Sequence, residues 1–346
     1  MLVVAKPILP ALVIAMDTER PSPRYSDIDL WEPAEILHAM VEGQMAAVAA
    51  VRAALSAIEA AARVTEERLR DGGRLIYVGA GTSGRLAVQD GAELVPTFNW
   101  PQDRLLLLMA GGKDALLRSV ENAEDEIDDA AKLVKQYRIA RPDVLIAVAA
   151  SGMTPFTLAC LREAKQRGAL TIGIVNNRNT PILLEANCPI CLDTGPEPIA
   201  GSTRMKAGTA QRVALNLLSS LVMIRLGHVH EGLMVDVKAT NAKLARRSET
   251  ILRRLTGCGD GEVADALRRA NGNVKLAVLL LQGCSLDEAA SVLDRAGGML
   301  RVALKDIGRH DAAAAAPDVL TIIEELPSVV GHDGKAVSEL KPFKRR

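Results

Sequence analysis

Aromatic residues are scarce: three Phe, two Trp and three Tyr make up 2% of 346 residues. So few rings cannot build a stacking platform for nucleic-acid bases. Excess charge is also missing, because 42 Lys and Arg balance 42 Asp and Glu. Without a basic excess or stripe the chain lacks the footprint that draws a polyanion, and no nucleic-acid partner is expected. Cysteine is limited to five residues, an odd number scattered along the chain. That pattern predicts reduced thiols in a cytoplasmic compartment rather than a disulfide framework. The apolar opening, Met1 to Ala15, is broken by Lys6, Pro7 and Pro10 and is too short to span a bilayer, so no membrane association is expected. It has neither the cationic start nor the cleavage site of a secretory leader, and a start at Met16 accounts for it equally well.

What the chain does have is a core. Hydrophobic residues reach 49% against 24% charged, enough for folded domains of roughly 150 residues each, about two in this length. Residues 32–70 repeat apolar side chains at helical spacing (Ile36, Leu37, Met40, Val41, Met45, Val48), which predicts one or two long helices. The pattern then changes to short continuous apolar runs at 75–78, 105–109, 144–148, 170–175 and 188–192. Runs of this kind alternating with helical stretches predict an α/β fold, a parallel sheet buried on both faces by helices. Helical patterns return at 206–226 and 238–255, and glycines at 272, 283 and 297 punctuate a small C-terminal three-helix module. The expected divisions are an N-terminal extension at 1–31, the sheet domain at 32–257, the module at 258–305 and a peripheral tail at 306–346.

The first strand runs into Gly79-Ala-Gly81-Thr82-Ser83-Gly84. This string matches a dinucleotide fingerprint, but no acidic residue ends the second strand to hold a ribose. Its hydroxyls and helix N-terminus suit a phosphate instead. The third strand runs into Ala149-Ala-Ser151-Gly152-Met-Thr154-Pro155, again small residues and hydroxyls opening a helix. Two such loops at the carboxyl ends of neighbouring parallel strands converge on one crevice. A third cluster, Gly201-Ser202-Thr203-Arg-Met-Lys206, adds hydroxyls and two cations ahead of the next long helix. Hydroxyl-lined loops with no Walker lysine point to a sugar monophosphate.

Four strings carry a resemblance: Arg74 through Leu86, Ala149 through Pro155, Gly201-Ser-Thr-Arg-Met-Lys-Ala-Gly-Thr-Ala-Gln211, and Leu233-Met-Val-Asp-Val through Lys243. Together they resemble the N-acetylmuramic acid 6-phosphate etherases of the sugar isomerase (SIS) superfamily, relatives of the glucokinase regulatory protein, over most of the chain. The resemblance implies a SIS-type, flavodoxin-like sheet, a homodimer, and a carbon-oxygen lyase that needs no cofactor. Its acid and base would fall on Glu93, in Asp90-Gly-Ala-Glu-Leu-Val-Pro96, and on Glu124, in Val120-Glu-Asn-Ala-Glu-Asp125. Substrate contacts would fall on Gly81, Thr82, Ser83, Ser151, Gly152, Thr154, Ser202 and Thr203. The family usually has Arg where this chain has Met153, and Ser-Cys-Asn-Pro where it has Val175-Asn-Asn-Arg178. Loss of a possible clamp at Met153 keeps two alternatives open: a lyase or isomerase on a different amino-sugar 6-phosphate, or a non-catalytic sugar-phosphate-binding regulator.

The remaining candidates read as structural. Cys188-Pro-Ile-Cys191 has metal-ligand spacing but lies in a strand pattern with no second pair, which predicts core thiols. His228 and His230 lack a third ligand and are expected at the surface, so no metal is expected.

Overall fold

The structure is a computed structural model and describes residues 16–237 and 242–308. The opening at 1–15, positions 238–241 of the fourth motif and the tail at 309–346 lie outside the described residues. Two helices lead in, α1 (Pro33–Ala53) and α2 (Leu55–Arg70), parted at Ala54. They are followed by β1 (Leu75–Gly79), α3 (Gly81–Phe98), β2 (Leu105–Met109), α4 (Ile127–Gln136), β3 (Val144–Val148) and α5 (Pro155–Gln166). The sheet is completed by β4 (Leu170–Val175), α6 (Pro181–Glu185) and β5 (Cys188–Cys191), before the long helix α7 (Lys206–Arg225).

All five strands are parallel, in the order β2-β1-β3-β4-β5. Alternate strand side chains feed two cores. Leu75, Tyr77, Val144 and Ile146 join α1, α2, α3 and α7 on one face. Ile76, Val78, Leu145 and Ala147 join α4, α5 and α6 on the other. Burial on both faces is why each strand is a continuous apolar run rather than an alternating one. The chain order reverses between β1 and β3, so the loops after these two strands diverge and open a crevice at their carboxyl ends.

Glycine contacts set how closely α3 lies on the sheet. A Cβ on Gly84 would stand 2.7 Å from the Gly79 carbonyl carbon, and one on Gly79 would stand 2.8 Å from the Gly84 Cα. Strand end and helix start therefore touch backbone to backbone. A turn and a half further on, Asp90 is 2% exposed and accepts a hydrogen bond from Tyr77 Oη at 3.1 Å. Burial pushes its carboxyl above the usual aspartate range, against hydrogen bonds from Ser219 and Tyr77 and the charge of Arg212.

Helices α8 (Ala242–Thr256), α9 (Asp260–Arg269), α10 (Val274–Leu281), α11 (Leu286–Arg295) and α12 (Leu300–Asp306) share a separate core. The predicted three helices are thus four within 258–305, with α8 joining them through Ile251 and Leu252. Three glycine breaks delimit four segments, and the seven-residue α12 is too short to show a helical period. The two histidines also depart from expectation. His230 is 5% exposed, and His228 lies against the rings of Phe98 and Trp100 with Nδ1 2.7 Å from an Asp236 carboxylate oxygen. That same carboxylate meets Lys275, so the three side chains pin the helical module to the end of α3.

Two stability measurements follow. Gly84→Ala should cost at least ~2 kcal/mol in urea unfolding, because neither backbone can retreat from the added methyl. Asp90 holds its proton in the folded state beyond the pH at which the unfolded chain releases it. Its stabilising share is full below about pH 3.9 and is lost as pH rises through the folded value. Asp90→Asn should therefore gain stability relative to the parent as pH rises from about 4 through the folded value; a pH-independent difference in unfolding free energy would contradict this.

Candidate active site

The loop after β1 leaves the N-terminus of α3 open. Ala80 stands at the cap position without a side-chain hydrogen bond, and Gly84 N donates to Ala80 O at 2.9 Å. The N–H groups of Gly81, Thr82 and Ser83 consequently have no acceptor within the helix, the condition for receiving an anion. Ser83 is 8% exposed and Thr82 half-buried.

Glu124 comes to this same point. It sits in a short 3₁₀ turn at Ala123–Asp125, entered through Asn122 in the left-handed region (φ 58°) and anchored by the buried Ala123. Its Oε1 lies 2.8 Å from where a Cβ on Gly81 would be, and Gly81 itself has φ +53°. Only glycine meets both demands, an αL backbone and the approach of a carboxylate. Arg85 fastens the segment between β2 and α4, donating from Nε to Ala115 O at 2.9 Å and from a terminal nitrogen to Arg118 O at 3.2 Å.

Neighbouring strands bring the second loop alongside. Ser151 Oγ stands 3.3 Å from Thr154 Oγ1 and accepts from Met153 N at 3.2 Å, and Pro155 is the first residue of α5. Gly152, at φ +68°, packs so tightly on Thr180 that a Cβ would fall 2.2 Å from its Oγ1. Met153 is exposed beside these hydroxyls. The third cluster closes from α7: a Cβ on Gly208 would meet Thr203 O at 3.2 Å and Thr82 Cγ2 at 3.7 Å. Ser202 and Thr203 are half-buried there.

One expected cation is already engaged. Lys206 is 6% exposed, and its Nζ donates to Thr194 O at 2.9 Å. Burial depresses its ammonium, opposed by the charge of Glu197. Glu197, fully buried, accepts from Lys206 N at 3.0 Å and from Ala207 N at 2.8 Å. Burial raises its carboxyl, against those two backbone donors. The N-terminus of α7 is thus filled by a side chain of the protein itself, whereas that of α3 is not.

Glu93 lies elsewhere. It is exposed on α3, twelve residues beyond Gly81, or ~18 Å along the helix axis. A single chain places Glu124 at the crevice and Glu93 well below it. The two cysteines of β5 are half-buried, with Cys188 against the core beneath α2 and α7. Three positions apart on a strand, they point to opposite faces.

Several residues at the site carry no sequence motif. Asn176 donates to Leu192 O at 3.0 Å and accepts from Gln211 Nε2 at 2.9 Å, tying β4 to β5 and α7. Asn177 donates to Ala150 O and to Thr18 Oγ1, both at 2.9 Å. Paired amides just past a strand end were the available signal; Glu197 and Thr18 offered none.

Comparison with known proteins agrees with this architecture. Residues 56–165 match the glucokinase regulatory protein N-terminal SIS domain, and residues 117–221 match the SIS domain. An N-acetylmuramic acid 6-phosphate etherase of Deinococcus radiodurans is 48% identical over 265 residues, 77% of this chain and 87% of that protein. Etherases of the same name from Lactobacillus johnsonii and Geobacillus thermodenitrificans are each 42% identical, over 77% and 76% of this chain and 90% of theirs. Among solved structures, a putative phosphosugar isomerase of Bacteroides fragilis aligns with TM-score 0.44 and 19% identity, over 57% of this chain and 94% of its own. The extent and level of identity to the etherases settle the kinship: this chain belongs to the N-acetylmuramic acid 6-phosphate etherase family.

Proposed function

We propose that the protein is a carbon-oxygen lyase that cleaves the lactyl ether of N-acetylmuramic acid 6-phosphate, giving N-acetylglucosamine 6-phosphate and D-lactate. The observation that carries this reading is the convergence of Glu124 Oε1 on Gly81 at the uncapped end of α3. A proton-transferring group and a cradle of anion donors share one crevice. Ser83, Thr82, Ser151, Thr154, Ser202 and Thr203 supply hydroxyls around it, and Gly81 and Gly152 supply the backbone turns.

The chemistry starts from the open-chain sugar. Its aldehyde acidifies the proton at C2, a carboxylate removes that proton, and the C3–oxygen bond breaks as a second carboxyl protonates the departing lactate oxygen. Water then adds at C3 of the unsaturated aldehyde, and a proton returns to C2. Glu93 and Glu124 fill the two carboxyl roles.

Their separation along α3 within one chain is resolved by a homodimer in which one protomer's Glu93 joins its partner's Glu124. The surface of α1 supports such pairing: Ala39, Gly43, Ala47 and Val51 face inward, while Leu37 (64% exposed), Val41, Met45 (69%) and Val48 form an apolar stripe outward. A cavity of about 470 Å³ lined by Leu55, Ile58, Leu217, Leu221 and Ile224 adds to this apolar face. Met153 favours a second reading, a different amino-sugar 6-phosphate, because it offers no charge for the lactyl carboxylate.

Turnover in deuterated, oxygen-18 water tests the reaction: the sugar product should carry deuterium at C2 and oxygen-18 at C3, and retention of the original C3 oxygen would overturn elimination. Glu93→Gln and Glu124→Gln should each lower kcat by at least ~10²-fold with little change in binding. Mixing and reassembling the two inactive variants should restore about a quarter of wild-type activity if each site takes one carboxyl from each protomer. No recovery in a verified mixed dimer would place both carboxyls in one chain.

A further inference from the structure

Among the described residues ahead of α1, 16–32, Thr18 alone is fully buried, at 0% exposed. It sits in a 3₁₀ turn, Asp17–Glu19, and its polar atoms engage two loops of the crevice. Its hydroxyl accepts from Asn177 Nδ2 at 2.9 Å, and its N–H donates to Asn177 Oδ1 at 3.3 Å. The same Asn177 amide donates to Ala150 O, next to Ser151. On its other side, Thr18 O accepts from Gly201 N at 3.0 Å, next to Ser202. Gly201 has φ +76°, and a Cβ there would stand 2.8 Å from Glu19 Oε2, so the turn lies flat against that loop.

From this arrangement we infer that Thr18 is a positioning residue for sugar-phosphate binding. It clamps the Ser151 loop and the Ser202 loop at a fixed spacing, so that hydroxyls from two different strands face one ligand. The inference rests on the site proposed above but adds to it a residue from a segment whose described residues contribute nothing to either sheet core. A buried reciprocal pair of an amide and a threonine holds geometry because each unmet polar atom is costly away from water. Its loss should therefore loosen the ground-state cradle without removing either proton-transferring group.

Thr18→Val keeps the shape and deletes the hydroxyl; Thr18→Ser keeps the hydroxyl. Thr18→Val should raise KM, and the Kd for N-acetylglucosamine 6-phosphate by calorimetry, about tenfold while kcat stays within about twofold. Thr18→Ser should restore binding to within about twofold of the parent. Combined with Ser151→Ala, the loss from Thr18→Val should be less than additive, since both act on one loop. Unchanged Kd in Thr18→Val, a fall in kcat at constant KM, no rescue by serine, or full additivity would each overturn the inference while leaving the active parent enzyme as proposed. Should Thr18→Val not fold, Asn177→Ala breaks the same link from the other side and must show the same KM effect. A parent protein that neither turns over the muramic substrate nor binds the glucosamine phosphate would overturn the proposed function, and this inference with it.

Discussion

Close approach of one helix to one strand is the constraint on which the site depends. Gly79 and Gly84 touch through their backbones, and Gly91 repeats the device lower on α3, where a Cβ would lie 2.5 Å from Leu107 and 3.0 Å from Tyr77. Any larger residue at these points would lift the helix from the sheet. Because α3 lies so low, its first N–H groups open directly at the β1–β3 divergence, and Gly81 sits where Glu124 can reach it. Packing density and electrostatic character are here one property: the same glycines that seat the helix leave its positive end uncovered.

Electrostatics then decides which helix end is available. Three helices begin around the crevice, and each treats its N-terminus differently. Helix α5 opens with Pro155, which has no N–H to satisfy, and Ser151 takes the N–H of Met153. Helix α7 receives the buried Glu197 carboxylate, whose charge is balanced in turn by the buried Lys206. Helix α3, unlike α7, keeps its first donors with no carboxylate bonded to them. A chain with zero net charge thus creates a local positive potential by spending its acidic groups selectively rather than by adding basic ones.

Much of this was legible in sequence, for identifiable reasons. Strands buried on both faces are written as continuous apolar runs, and all five were found within a residue or so of their bounds. The loops that follow were visible because tight turns at a helix start demand glycine and small hydroxyl residues. Roles that depend on distant partners were not visible. Lys206 looked like a free cation because nothing near it in sequence announces Thr194 and Glu197 as its neighbours. Thr18 lies in a single 3₁₀ turn without periodicity. Both histidines were expected in water, but His230 is buried, and the Phe98 and Trp100 rings and the Asp236–Lys275 pair that hold His228 come from separate elements. Glu93 and Glu124 stand among many acidic residues, and only the family resemblance singled them out.

The far edge of the sheet carries one more consequence. Strand β5 is four residues long and contains Pro189. Leu192 N donates inward to Val175 O at 2.8 Å, so by the two-residue alternation of a strand Ile190 also faces β4, whereas Pro189 and Cys191 face away. The proline therefore removes a main-chain donor from the open side, where an incoming strand would need it. Edge-to-edge growth into a continuous sheet, the route by which exposed strands nucleate aggregates, is blunted at this boundary.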